Sequence, residues 1–271
     1  MDHLQNLHTH TTYCDGVDTP EEMIRYALEK GFHSLGFSGH SYMSYSAYKK
    51  ISLESTEAYK REVTALKRKY QDRIKLYLGL EVDMYSDVDL SGYDYLIGSV
   101  HYLKKDGVYH GFDRGADEVK RLIDTQFGGD GTAFAKAYYE AVAELPAHGE
   151  FDIIGHFDLI TKNLEIAPLF DDQSDVYLNA ALEAMEALKG KIPFFEVNSG
   201  AVARGYRTAP YPAVRLMKEL KKMGFGAIIT SDCHDGRLLD CGFELAGSLL
   251  AESGFREKYV LTDSGFEAVS L

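Results

Sequence analysis

Short apolar segments alternate along this chain with amphipathic segments of helical periodicity, and this alternation limits the possible folds more than any other feature. Seven of the apolar segments are rich in β-branched and aromatic residues. They cover about residues 4–10, 33–40, 74–83, 93–102, 151–159, 193–200 and 225–234. Most are continuous apolar runs, which is the pattern of parallel strands covered on both faces.

Helix signals lie between these strands. Residues 19–22, Thr-Pro-Glu-Glu, combine an N-cap residue, a proline and a capping-box glutamate ahead of an amphipathic run. Further helical patterns occupy about 55–70, 132–144, 174–189, 211–223 and 242–253. Alternation of this kind predicts βα units and a parallel sheet.

The number of strands favours a closed or nearly closed barrel over an open sheet. An open doubly wound sheet normally carries a glycine-rich phosphate loop after its first strand. Here the first strand ends in the sequence His-Thr-His, residues 8–10. The length of 271 residues suits one large domain or at most two small ones, and we expect a single domain over residues 1–271.

Composition excludes several classes of protein. Hydrophobic residues make up 45% of the chain, which is ample for a packed core. The chain contains no run of about 18 apolar residues, so we expect no membrane-spanning helix. The N-terminal segment lacks the basic and apolar regions of a signal peptide. Three cysteines cannot form a disulfide framework, and their number fits a reducing cytoplasm.

The formal net charge of −13, from 29 basic and 42 acidic side chains, argues against extended nucleic acid and anionic membranes as partners. The negative charge does not exclude a small anionic substrate, because bound divalent cations would make the electrostatic field positive at the site. The oligomeric state stays open, since no interface stripe is visible.

Potential metal ligands collect at the C-terminal ends of the predicted strands, which is the functional end of α/β barrels. Six of the ten histidines fall there. With three carboxylates the set comprises His8, His10, Asp15, His40, Glu81, His101, His156, Asp232 and His234. His8 and His10 lie two residues apart, so they project from the same side of one strand.

Nine ligands are too many for one ion and suit two or three divalent cations. Imidazole and carboxylate without thiolate favour Zn, Mn or Fe over a cysteine-rich structural zinc site. Cys14 and Cys233 neighbour these residues, but alternation along the chain predicts that both point away from the cluster.

These motifs resemble the PHP (polymerase and histidinol phosphatase) family. The segments "LHTHTTYCDG", "SGH", "GLEVD", "GSVHY", "GHFD" and "SDCH" occur in the family's order and spacing, over almost the whole chain. Within the family, a chain of this size most resembles the histidinol-phosphate phosphatases. The resemblance implies a distorted (βα)7 TIM-like barrel with a trinuclear metal centre at its C-terminal face. It also implies that the nine residues listed above are the metal ligands, and that Glu81 bridges two of the metals.

The predicted reaction is hydrolysis of a phosphate monoester. Adjacent metals lower the pKa of a bridging water and neutralise charge on the phosphoryl group, so we expect direct attack without a phosphoenzyme. We assign Glu81, His234 and Asp158 to catalysis. Asp158 lies two residues after His156 on the same side of the strand, where it could transfer a proton or orient a ligand histidine. The substrate would be L-histidinol phosphate, which places the protein in histidine biosynthesis.

Phosphate recognition requires cations near the metal centre, and arginine is the preferred one. The candidates are Lys104, Lys162, Arg204 and Arg207. Lys104 begins an insertion at about 104–131 that is long for a βα connection and predicts a lid. One position departs from the resemblance: these phosphatases often carry an arginine where this chain has Thr161, followed by Lys162.

Three alternatives stay open. The protein could be a PHP phosphoesterase that acts on a nucleotide, a phosphotyrosine peptide or an oligonucleotide end. It could be a metal-dependent amidohydrolase, although that class usually bridges its metals with a modified lysine, and this chain offers Glu81. It could also be a non-catalytic binding module, which would be expected to lose ligands that are all present here.

Overall fold

The structure is a computed structural model that describes residues 3–46 and 50–271. Its strands are β1 (Gln5–Asn6), β2 (Ser34–Phe37), β3 (Lys75–Asp83), β4 (Tyr95–Ser99), β5 (Tyr102–Lys105), β6 (Val108–Gly111), β7 (Ile153–Ile154), β8 (Phe194–Asn198), β9 (Gly226–Thr230), β10 (Glu257–Thr262) and β11 (Gly265–Ser270). Its α-helices are α1 (Pro20–Glu29), α2 (Leu53–Tyr70), α3 (Ala116–Gln126), α4 (Gly131–Glu144), α5 (Asp175–Leu188), α6 (Gly200–Ala203), α7 (Val214–Lys222) and α8 (Phe243–Glu252). Three short 3-10 helices cover Leu145–Ala147, Leu159–Asn163 and Gly236–Leu238.

Seven parallel strands form a nearly closed barrel, as the sequence predicts. Their order is β1-β2-β3-β4-β7-β8-β9. Beyond the ends of β1 and β9, Thr9 and Cys233 form an isolated parallel bridge. The His10 amide donates to the Cys233 carbonyl at 2.8 Å, and the Cys233 amide donates to the His8 carbonyl at 3.1 Å. These bonds bring the first and last strands together where both end in candidate ligands.

The first helix begins at the predicted capping box. The Glu22 amide donates to Thr19 Oγ1 at 3.3 Å, and the Thr19 amide donates to Glu22 Oε2 at 2.8 Å. Such reciprocal bonds satisfy donors that a helix start would otherwise leave unpaired. Within the described residues, no helix is both long and apolar enough to cross a membrane.

A buried tyrosine fills the middle of the barrel. Tyr95 is 1% exposed, and its hydroxyl donates to the Leu7 carbonyl. Two glycines on neighbouring strands make room for its ring: a Cβ on Gly36 would lie 2.3 Å from the Tyr95 hydroxyl, and one on Gly79 would lie 2.3 Å from its Cζ. Only glycine leaves enough space at these two positions.

A C-terminal hairpin, β10–β11, covers the opposite end of the barrel from the histidines. Gln5 bonds both backbone groups of Leu261, its Nε2 donating to the carbonyl at 2.8 Å and its Oε1 accepting from the amide at 2.7 Å. Leu261 belongs to the apolar cluster inside the barrel, and Tyr259 and Phe266 pack against that cluster. The seven strands predicted from the sequence do not include β10 or β11.

The insertion at about 104–131 contains most of the β5–β6 hairpin and helix α3. Phe112, between these elements, packs edge-on against Phe134 and Tyr138 of α4. Asn163 Nδ2 donates to the Arg114 carbonyl at 2.9 Å. The insertion is therefore fixed to the barrel near the ends of β4 and β7, and its role as a lid stays a prediction.

Candidate metal centre

The nine candidate ligands meet at the C-terminal face of the barrel. They come from the loops and strand ends that follow β1, β2, β4, β7 and β9, and from within β3. His8 and His10 are fully buried, and His40 and His234 are partly exposed at the rim of the cluster. Long-range strand order thus assembles residues that are more than 220 positions apart in the chain.

Glu81 lies at the centre, and its two oxygens face different histidines. Oε1 faces His156 and His101, whose Nε2 atoms lie at 3.1 and 3.3 Å. Oε2 faces His40 Nδ1 at 2.7 Å, His8 Nε2 at 3.4 Å and His10 Nε2 at 3.6 Å. A carboxylate with a separate ligand set at each oxygen is suited to bridge two metal ions, the role that the family resemblance implies for Glu81.

Two aspartates complete the cluster on the side of β9. Asp232 Oδ1 lies 3.1 Å from His10 Nε2, and Asp15 Oδ1 lies 3.3 Å from His234 Nε2. The His234 ring stacks on the His10 ring, with centroids 4.0 Å apart. Asp232 has a positive φ of 47°. Positive φ is uncommon for residues other than glycine, and such positions cluster at functional sites.

The buried polar atoms of this cluster fit metal ions. Among the described residues, the buried atoms without a hydrogen-bond partner include His8 Nε2, His10 Nε2, Asp15 Oδ1 and Glu81 Oε2. Each unsatisfied buried polar atom lowers the stability of the fold by about 1–3 kcal/mol. Several such atoms in one place therefore indicate a shared partner, and a metal ion is suited to that role. In the part of the chain that the structure describes, three overlapping groups have the spacing to hold an ion: His10, Asp15, His40 and His234; His8, His10 and Asp232; and His40, Glu81 and His101.

Burial would lower the pKa values of His8, His40 and His101, but neighbouring carboxylates raise them above the usual value, so these three imidazoles lose a proton when a cation binds. Burial alone would raise the pKa of Glu81, but the neighbouring imidazoles, His40 first, hold it well below its usual value. Burial lowers the pKa of His10 to about 3, helped by His234 and His40. His10 is thus neutral and Glu81 ionised at neutral pH, which are the forms that bind metal.

A further carboxylate, Glu196 on β8, supports the ligands from behind. Glu196 is fully buried, and its Oε2 lies 2.8 Å from His8 Nδ1. Its Oε1 accepts from the His156 amide at 2.6 Å. Carboxylates placed in this way orient ligand histidines. Glu196 is not among the residues predicted from the sequence, although a single charged residue within the apolar strand "FFEVN" is a usable signal.

Asp83 plays a similar role for His101. Its Oδ2 accepts from the His101 amide at 3.1 Å and lies 3.4 Å from His101 Nδ1. Its Oδ1 accepts from the Tyr45 hydroxyl at 2.7 Å. The Tyr45 ring stacks on Tyr109 of β6, with centroids 3.9 Å apart. This chain of contacts connects the inserted hairpin to a candidate ligand.

The two cysteines near the cluster differ in orientation. Cys233 Sγ lies 2.8 Å from the Asp235 carbonyl, directed away from the ligands as alternation predicts. Cys14 Sγ lies 3.4 Å from His10 Nδ1, so the prediction that it points away is wrong. Alternation fails for Cys14 because residues 12–15 form a turn and not a strand.

A cavity of about 250 Å³ opens onto the cluster. Lys162 and Arg204, two of the four predicted phosphate-binding residues, line it. Arg204 Nη2 donates to Asp232 Oδ2 at 3.0 Å and Lys162 Nζ donates to Asp113 Oδ1 at 2.6 Å. The lining is completed by candidate ligands and by Asp113, Met43, Leu159 and Tyr206.

The other two predicted phosphate-binding residues lie away from this cavity. Lys104 is exposed, with its Nζ 5.1 Å from the centre of the Tyr109 ring. The Arg207 guanidinium donates to Thr161 Oγ1 and stacks over Tyr211 at 4.8 Å. Thr161 is thus paired with an arginine from a different loop.

Asp158 is fully buried and also outside the cavity lining. Its Oδ2 accepts from the Ala213 amide at 3.0 Å. Burial raises the pKa of Asp158, and the Arg207 charge offsets part of that rise. No contact recorded among the described residues joins its side chain to a candidate ligand, so the geometry suits a role in holding Arg207 and the segment before α7.

Comparison with known proteins gives one family and several relatives. The family model of the PHP domain matches residues 6–200. A Deinococcus radiodurans protein named "Probable histidinol-phosphatase" is 30% identical over 260 residues, covering 92% of each chain. The "Histidinol-phosphatase" of Bacillus subtilis is 26% identical over 252 residues, covering 84% of this chain and 92% of that protein.

A solved structure has the same fold. It is the histidinol phosphate phosphatase from Lactococcus lactis, complexed with zinc, L-histidinol and phosphate. The two structures align with a TM-score of 0.73 over 97% of this chain and 98% of the other, at 18% sequence identity. The likeness shows that the barrel and its connections are shared.

Proposed function

We propose that this chain, which belongs to the PHP domain family, is a metal-dependent phosphomonoesterase that hydrolyses L-histidinol phosphate to L-histidinol and phosphate. One observation carries the proposal: Arg204 and Lys162 line the same small cavity as seven of the nine candidate metal ligands. Cations beside a metal cluster suit an anionic phosphate ester. The names of relatives at 26–30% identity support the choice of ester.

The nine ligands would hold two or three divalent ions, with Zn, Mn and Fe as the candidates. Such ions supply an acidic water and neutralise charge on the phosphoryl group. Glu81 contributes an ionised carboxylate whose two oxygens face different histidines, and Glu196 keeps His8 oriented. These side chains would hold the charges of the site in place before substrate binds. Such preorganised charges stabilise the charge that develops in the transition state.

Arg204 is placed to bind the phosphate. Its Nη1 lies 3.3 Å from His234 Nδ1, and its Nη2 is bonded to Asp232, so the guanidinium is held at the edge of the ligand cluster. A fixed fork of N–H donors matches phosphate oxygens better than a single ammonium. Lys162 adds a second positive charge, and His234 lies between the cluster and the cavity.

Asp158 acts as a positioning residue in this proposal. It bonds the Ala213 amide and faces the Arg207 charge, so it fixes the loop that also carries Arg204. The proton for the leaving alkoxide then comes from the cavity side, where His234 lies and Asp158 does not. The partner is a small phosphate ester, and we place the reaction in cytoplasmic histidine biosynthesis.

A second candidate is a PHP phosphoesterase with another substrate. Thr161 favours this second candidate, because histidinol-phosphate phosphatases often carry an arginine at this position. In this chain Arg207, from the loop after α6, donates to the Thr161 hydroxyl. A guanidinium therefore lies close to position 161, but it is bonded to the threonine. A changed cation pattern beside the cavity could accompany a changed ester.

Phosphate release by the metal-loaded protein tests both candidates. L-histidinol phosphate would be compared with nucleotide, sugar and phosphotyrosine monoesters, with Glu81→Ala as the blank. We expect a selective rate on L-histidinol phosphate that the blank lacks. A higher rate on another ester would favour the second candidate, and metal binding without any hydrolysis would reject both.

A further inference from the structure

A second groove lies at the end of the barrel opposite the candidate metal ligands. It runs between helix α8 and the β10–β11 hairpin and has a volume of about 920 Å³. Of the described residues that line it, Ile229 of β9 and Lys258 of β10 are the most deeply buried, at 2% and 4% exposure. The groove is therefore open to solvent along its walls and has one charged side chain at its floor.

Lys258 has no partner for its charge among the described residues. Its Nζ donates to the His3 carbonyl at 3.1 Å, which is its one hydrogen-bond acceptor in residues 3–46 and 50–271. An ammonium group has three donors, so two remain for other acceptors. Burial lowers the pKa of Lys258, and no neighbouring carboxylate from the described part of the chain opposes this effect.

The burial of Lys258 is unusual for a lysine without a charged partner. Lysine is almost never buried to this extent unless another group pairs with its charge. On a protein surface, the long side chain normally extends until the ammonium group is in bulk water. Lys258 remains at the floor of the groove instead. The groove thus presents a positive charge to an anion that the described residues do not supply.

The walls of the groove indicate which kind of anion fits. Ile229, Val269 and Leu271 give the lining an apolar part. Glu244 also lines the groove, and its negative charge opposes the binding of an anion with two charges. Phosphate sites normally offer several charged or backbone N–H donors, whereas this groove offers one ammonium group. A single cation beside apolar walls suits an anion with one charge and a hydrocarbon body.

We propose that this groove binds a small monocarboxylate, whose carboxylate group pairs with Lys258 while its hydrocarbon part lies against Ile229 and Val269. The carboxylate oxygens accept the two Nζ donors that His3 leaves open. Because the ligand pairs with a buried charge in the folded protein, its binding also stabilises the fold. The site does not depend on the proposed hydrolysis, and its test involves no turnover.

Calorimetry with hexanoate tests the proposal, and hexanamide serves as a neutral probe of similar shape. We expect metal-loaded wild-type protein to bind hexanoate and to bind hexanamide at least tenfold more weakly. Lys258→Met should weaken hexanoate binding roughly 10–100-fold, which is the usual effect of losing hydrogen bonds to a charged group. The matched control Lys191→Met, at an exposed lysine before β8, should bind hexanoate as the wild type does.

Gly247→Leu tests the apolar part of the groove while the charge stays in place. A Cβ on Gly247 would lie 4.0 Å from Ile229 Cδ1, an ordinary contact, so the groove has room for a side chain there. Leucine favours a helix more than glycine does, so α8 should keep its structure. The new side chain would occupy the groove and weaken hexanoate binding at least tenfold. Unchanged hexanoate binding in Lys258→Met or in Gly247→Leu would overturn the proposal.

Three further results would also overturn it. Hexanoate binding that is lost in Glu81→Ala and kept in Lys258→Met would place the carboxylate at the metal centre. Binding that appears only in Asp2→Asn would show that the chain supplies its own carboxylate. Inorganic phosphate that binds more tightly than hexanoate, and loses this binding in Lys258→Met, would make the groove a phosphate site.

Discussion

Glu196 Oε2 lies 2.8 Å from His8 Nδ1, and this contact leaves His8 Nε2 directed at Glu81 and Asp232. The carboxylate of Glu196 therefore fixes one side of the His8 ring, and the other side faces the carboxylates of Glu81 and Asp232. A ligand histidine held in this way has one defined tautomer and one orientation. The arrangement makes Glu196 part of the candidate metal centre although it is not among the nine candidate ligands.

Glu196→Gln should weaken metal binding. Among the described residues, four groups bond Glu196 and all are donors: His8 Nδ1, the His156 amide, Asn198 Nδ2 and Thr230 Oγ1. A glutamine would place its NH₂ group against two of them, so the metal affinity should fall roughly 10–100-fold. Competition with a chromogenic chelator measures this affinity. Glu257→Gln, on the exposed start of β10, is the control, and an unchanged affinity in Glu196→Gln would reject the role.

The sequence predicts the strand ends well because the same chemistry repeats there. Histidines or carboxylates follow one apolar run after another, so each strand supports the interpretation of the others. Glu196 has no such repetition, since a single carboxylate within an apolar strand can equally be a buried structural group. The contact between Cys14 and His10 was also out of reach, because it depends on a turn whose geometry alternation does not describe.

The order of the seven barrel strands follows from the βα alternation, but the β10–β11 hairpin lies outside it. Its own signal is the turn at residues 263–265, where Gly265 has a φ of 107°. The docking of this hairpin on Gln5 depends on a contact across 256 positions, for which no local pattern exists. The same holds for Asp113 and Lys162, which two separate loops bring together.

Removing metal should destabilise the protein. The buried unpaired atoms of His8, His10 and Glu81 lose their common partner when the ions leave. A ligand at a hundredfold excess over its Kd stabilises the folded state by about 2.7 kcal/mol. For a chain of this size that corresponds to a drop of roughly 5–10 °C in Tm when metal is removed. Thermal unfolding with and without EDTA measures the change, and Zn or Mn should restore it.

The control for metal removal is Glu81→Ala, which lacks the central carboxylate. Its Tm should respond less to EDTA than the wild-type Tm does. If the wild-type Tm were the same with and without EDTA, after metal analysis had shown that EDTA removed bound ions, the cluster would not depend on metal for its stability.

Substitution at the two arginines should have unequal effects. Arg204 lines the cavity, whereas Arg207 is bonded to Thr161 and stacked on Tyr211. Lysine cannot reproduce the fork of a guanidinium. Hydrogen bonds to charged groups contribute about 1.5–3 kcal/mol, so Arg204→Lys should lower kcat/KM for the phosphate ester roughly 10–100-fold. Arg207→Lys should lower it less than tenfold, and the reverse order would place the phosphate at Arg207.

Lys258 gives a prediction for stability that is separate from the metal centre. Its side chain lies at the far end of the barrel and is 4% exposed, and Nζ donates to the His3 carbonyl at 3.1 Å. Burial lowers the pKa of Lys258. The protonated lysine therefore disfavours the folded state at neutral pH, and this cost disappears as pH rises through the lowered pKa towards the unfolded value of about 10.4.

Lys258→Met should accordingly raise the free energy of unfolding at pH 7, and its advantage over the wild type should shrink between pH 7 and pH 10.5. Urea unfolding of both proteins at several pH values measures this difference. Lys191→Met, at an exposed lysine, should change stability by less than about 0.5 kcal/mol at every pH. An advantage of Lys258→Met that stayed constant with pH would show that packing, and not the buried charge, is responsible.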